Sequence, residues 1–72
     1  MINTRNPDRI DMFTLELNRI WKKFFCDWRF GQFMSNFLGF VQSKKNRDIF
    51  FPEELEMLTY LKEYCGEIEC KN

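Results

Sequence analysis

Between Phe30 and Ser43 the chain carries no charged residue. Within that stretch Phe30, Phe33, Met34, Phe37, Leu38, Phe40 and Val41 recur at helical spacing, spread over roughly 160° of the circumference at 100° per residue. A helix this apolar, with no ionic outer face, needs neighbours on most of its surface, so it is expected to be the central one. Its remaining strip holds Gly31, Ser35 and Gly39 at four-residue spacing, flanked by Gln32, Asn36 and Gln42. Two helical glycines sacrifice about 2 kcal/mol relative to alanine. Such a cost suits a strip approached closely, either by another helix of the same chain or by a second copy.

Two further helices follow from local chemistry, and the fold expected is all-α: a compact three-helix domain with one short extended segment before the third helix. Asn6 is an N-cap residue, Pro7 suits a first helical position and Asp8 complements the positive dipole end. The first helix is therefore placed at about 7–24, with Ile10, Phe13, Leu17, Ile20, Trp21 and Phe24 inside an arc of about 100°. Met12 and Leu15 fall on its far side. The second is placed at 28–43 behind Asp27 as N-cap. Arg47 to Phe51 is β-branched and aromatic and ends at Pro52, which disfavours helical geometry in the preceding residue, so 47–51 is expected to be extended. Pro52 then opens a third helix at 52–65, with Leu55, Leu58, Leu61 and Cys65 as its stripe. Gly66 is its stop, and 67–72 is expected to fray.

The 72 residues include 11 Lys+Arg, 11 Asp+Glu and no His. Without imidazole there is no Ser-His or Cys-His nucleophile pair and no His-ligated zinc. No phosphate-loop, dinucleotide-loop or metal-helix motif occurs. Three cysteines, Cys26, Cys65 and Cys70, do not complete a tetrahedral site, so no metal, cofactor or catalytic residue is expected, and the chain is read as no enzyme. The longest apolar run, Phe37 to Val41, is far below the ~18 residues of a membrane span. A reducing, cytoplasmic setting without membrane contact is expected. Thirteen aromatics (nine Phe, two Trp, two Tyr) must supply the core of a single domain, stable by about 4–11 kcal/mol at this length.

The neutral total hides a division. Up to Arg47 nine cations face four carboxylates, +5, whereas from Asp48 onward two face seven, −5. Arg19, Lys22, Lys23 and Arg29 around the first turn, Lys44, Lys45 and Arg47 in the later loop, and Trp28 as a base-stacking ring form a candidate nucleic-acid or nucleotide patch. A solvated face is the plainer account, because nucleic-acid domains carry a strong net positive charge. Glu53, Glu54, Glu56 and Glu63 form a candidate acidic recognition face, although acids in a first turn are explained by the helix dipole. The segregation implies either neutralisation of the third helix by the first, or a head-to-tail match between copies.

The strings Arg9-Ile10, Trp21, Asp27-Trp28-Arg29-Phe30-Gly31-Gln32-Phe33 and Asp48-Ile49-Phe50-Phe51-Pro52-Glu53-Glu54-Leu55-Glu56-Met57-Leu58 resemble a pattern shared by a group of short uncharacterised bacterial and phage proteins. The resemblance spans roughly residues 9–61. It departs at Cys26, where the group has proline, and at Leu55 between the acidic pairs. It implies one compact domain and no particular chemistry, and its phage members suggest an inhibitor or regulator of a host or defence protein. The function expected is thus a non-catalytic, self-associating protein-interaction module, with Met12, Leu15, Gly31, Ser35, Gly39 and Phe50 as candidate partner or dimer contacts; the alternative is nucleic-acid or nucleotide binding.

Overall fold

The computed structural model describes residues 6–69 and consists of three helices, α1 (Asp8–Phe24), α2 (Phe30–Ser43) and α3 (Glu54–Cys65). The all-α, three-helix reading holds. The start of α1 is as the sequence implies: the Asn6 side-chain carbonyl accepts the Asp8 backbone N–H at 3.0 Å, one residue ahead of the first full turn. The end of α3 is a complete Schellman motif. Gly66 takes the left-handed conformation (φ 86°), its N–H bonds to Glu63 O at 3.2 Å, and the Glu67 N–H reaches Lys62 O at 2.9 Å.

Three local expectations are corrected. Asp27 does not cap α2, and Trp28 is not helical. The Trp28 N–H bonds to Phe25 O at 2.9 Å, and its carbonyl accepts the Trp21 indole N–H at 3.0 Å, so its backbone is committed to the turn. Arg29 is the extended N-cap instead, its carbonyl taking the Phe33 N–H at 2.9 Å. Nor is 47–51 a strand. The Asp48 carboxylate accepts the Phe50 N–H at 3.0 Å and its carbonyl accepts the Phe51 N–H at 3.3 Å, closing a turn. Pro52 accordingly lies before α3, whose N-cap is Glu53. Finally, Glu67 and Ile68 are tied to Lys62 O rather than frayed; Cys70 and the last two residues lie outside the described ones.

The buried core is Ile20 of α1, Phe33, Phe37 and Val41 of α2, and Leu58 and Leu61 of α3. The spacing of four along α2 places its three buried residues on one line, and each such side chain contributes roughly 1.5–3 kcal/mol. Although α2 supplies half of this core, it is not the central helix. The element packed closely against both others is α3. The expected stripes also overreach: Ile10, Phe24 and Phe30 are exposed, and Leu55 is 66% exposed.

The Gly31–Ser35–Gly39 strip faces open space, since a Cβ built on either glycine meets nothing within 4 Å. Close packing inside the chain therefore does not explain it. Gly39→Ala is expected to stabilise the folded chain by about 0.5–1 kcal/mol, and Gly31→Ala by less because it lies in the first turn, where the helical constraint is weaker. Gly66→Ala is expected to be destabilising, because its backbone sits at positive φ. Urea midpoints of the three variants check both signs.

Candidate functional site

The charges of opposite sign meet within the chain. Along the α1–α3 seam, Arg9 Nε lies 2.7 Å from Glu54 Oε1. One turn past mid-helix, Arg19 holds Glu16 at 2.9 Å and chelates Glu67 through both terminal nitrogens at 2.6 and 2.7 Å. Lys62 approaches the same Glu16 at 3.9 Å. The hydrogen bonds from Arg19 hold the Glu16 and Glu67 carboxyls below the usual carboxylate range.

A second set clamps the α2–α3 connection onto α3. The Lys45 ammonium sits 2.7 Å from Glu63, with the two side chains only 9% and 5% exposed. It also lies 5.7 Å from the centroid of the Tyr60 ring. Arg47 binds Glu56 at 3.0 Å, and Glu56 in turn accepts the Tyr60 hydroxyl, which raises the tyrosine above its ordinary value. Asn46, in the left-handed region at φ 56°, turns the chain so that the Arg47 N–H returns to Val41 O at 3.2 Å.

These pairs engage part of each of the two charged sets read from the sequence. Of the basic set, Arg19, Lys45 and Arg47 are engaged by carboxylates, while Lys22, Lys23, Arg29 and Lys44 are exposed. Lys23 lies over Phe24 at 5.2 Å. Trp28 does not project: its ring stacks on Phe25 at 4.7 Å. Of the acidic set, Glu54, Glu56 and Glu63 each hold a cation, and Glu53 occupies the N-cap position of α3, its backbone carbonyl accepting the Met57 N–H at 2.9 Å. Among the described residues no group of three His, Cys, Asp or Glu is placed to hold a metal ion. Cys26 is exposed and Cys65 half-buried. Among the described residues no helix is long and apolar enough to cross a membrane.

The surface also carries an apolar hollow. A groove of about 360 Å³ is lined by Phe13 of α1, Met34 and Leu38 of α2, Ile49 and Phe50 of the turn, and Met57 of α3. Phe50 at its edge is 87% exposed and Phe51 is 71% exposed. The turn leaves both aromatics outside the core. The only charged residue lining the groove is Glu54, already held by Arg9. Among the contact residues expected from the sequence, Phe50 alone joins this groove. Met12, Leu15, Gly31, Ser35 and Gly39 lie elsewhere on the surface. Phe13, Met34, Leu38 and Met57 read as core by periodicity, which cannot distinguish a wall facing a groove from a wall facing another helix. The one available signal was Ile49-Phe50-Phe51-Pro52, a run of large apolar residues with no second strand to receive it.

No protein-family model matches this chain, and comparisons with curated proteins and with solved structures give no significant similarity.

Proposed function

We propose that the chain is a small, non-catalytic protein-interaction module of a cytoplasmic setting, acting by covering a protein surface with the groove face between α1, α2 and the 48–52 turn. The observation that carries this reading is local: Phe50 and Phe51 stand in solvent beside an apolar groove whose one charged wall residue, Glu54, is held by Arg9. Burying one such phenylalanine contributes roughly 1.5–3 kcal/mol, so two of them are an adequate anchor for a compact contact. A phage-type inhibitor or regulator is a use consistent with this mode, because occlusion needs shape and apolar anchors but no reacting group. Photo-crosslinking tests it. A benzoylphenylalanine at position 50, in nuclease-treated lysate of the source cell, is expected to give a discrete protein adduct that the same probe at position 15 does not. Identical patterns from both positions, or none from position 50, would overturn the reading.

A further inference from the structure

We infer that the groove takes a second copy of this chain, with Phe50 of each protomer entering the groove of the other. The inference rests on the interaction reading above and names its partner. Knob and hole lie on one face and share a residue: Phe50 borders the groove but stays 87% exposed instead of filling it, on a turn whose backbone is held by the Asp48 carboxylate at 3.0 Å. A patch that contains both a protruding ring and an apolar hollow is self-complementary under a two-fold axis, so each contact is made twice.

Size and charge agree with this occupant. At about 360 Å³, the groove is near the lower end of the roughly 300–1,000 Å³ of small-molecule sites, suited to one or two side chains. The chain has no net charge, and the one carboxylate on the groove wall is neutralised by Arg9, so two copies approach without repulsion. Phe50 and Phe51 from both protomers would together remove on the order of 600–1,000 Å² from water at about 150–250 Å² per ring. With the groove walls added, the contact approaches the roughly 1,200 Å² at which specific interfaces begin. A weak, reversible dimer is the form this predicts.

Sedimentation equilibrium of the full chain in reducing buffer, from low micromolar to several hundred micromolar, provides the test. The mass is expected to rise from 8.9 kDa toward twice that value. Phe50→Asp is expected to raise the dissociation constant at least tenfold with an unchanged circular dichroism spectrum, and Ser35→Arg on the open strip is expected to leave it unaltered. A wild-type chain that stays monomeric throughout overturns the inference, as does a dimer indifferent to Phe50→Asp or abolished by Ser35→Arg. If the wild type is monomeric while the position-50 probe still captures another protein, the second copy is eliminated and the interaction reading stands.

Discussion

Phe33→Ala is expected to destabilise the fold by about 3–5 kcal/mol. Phe33 is fully buried, with the rings of Trp21 and Phe25 at 5.3 and 5.2 Å and that of Trp28 at 6.4 Å. Truncating such a side chain costs about 3–5 kcal/mol through lost transfer and the cavity left behind. The rings around it cannot collapse inward readily, because Trp21 is pinned by its indole bond to Trp28 O and Phe25 is stacked on Trp28 and packed at a tilt against Tyr64. A domain this size holds about 4–11 kcal/mol in total, so a single truncation removes about a quarter of it or more. Thermal and urea denaturation followed by circular dichroism would measure the loss; a cost below about 1 kcal/mol would show that this aromatic cluster is not the centre of the fold. Phe50→Ala supplies the contrast, because an exposed ring leaves monomer stability within about 0.5 kcal/mol.

The second large effect concerns Lys45 and Glu63. Either Lys45→Met or Glu63→Leu alone is expected to destabilise by about 3–5 kcal/mol, since each leaves the opposite charge in a nearly closed position with its partner gone. The double variant is expected to recover most of that loss and to approach the wild type, because two apolar side chains need no desolvation. A double-mutant cycle in urea would read the coupling directly. Coupling near zero would place the pair in effective contact with water, contrary to its 9% and 5% exposure. The Arg9–Glu54 pair is the internal comparison. Both of its side chains are about a third exposed, and removing either should cost under about 1 kcal/mol.

Local chemistry was legible where it had no competitor. Asn6-Pro7-Asp8 and Gly66 announced helix ends because a cap or a left-handed residue acts on its own backbone within a few positions. Trp28 shows the opposite case: its helical spacing was satisfactory, yet a distant indole N–H from Trp21 needed its carbonyl. Asp48 decided the 47–51 segment in the same way, its carboxylate closing a turn that the β-branched and aromatic composition did not suggest. The halves of the charge distribution were visible, but not who pairs with whom, because Arg9 meets Glu54 across 45 positions and Arg19 meets Glu67 across 48. The groove was hidden for a related reason. Its walls carry the same periodicity as a core, and only the position of α3 determines which apolar faces are covered.

That position also sets the order in which the protein can come into being. Helix α3, the only element packed closely on both others, is the last of the three to be synthesised. Until it emerges, Phe33, Phe37 and Val41 have no Leu58 or Leu61 against them, and Lys45 and Arg47 have no carboxylates to hold. During that interval the nascent chain displays an aromatic surface open to chaperones and to neighbouring chains. Arrival of the final helix then shields the core and supplies Glu54, Glu56 and Glu63 to Arg9, Arg47 and Lys45, while Phe50 and Phe51 stay in solvent.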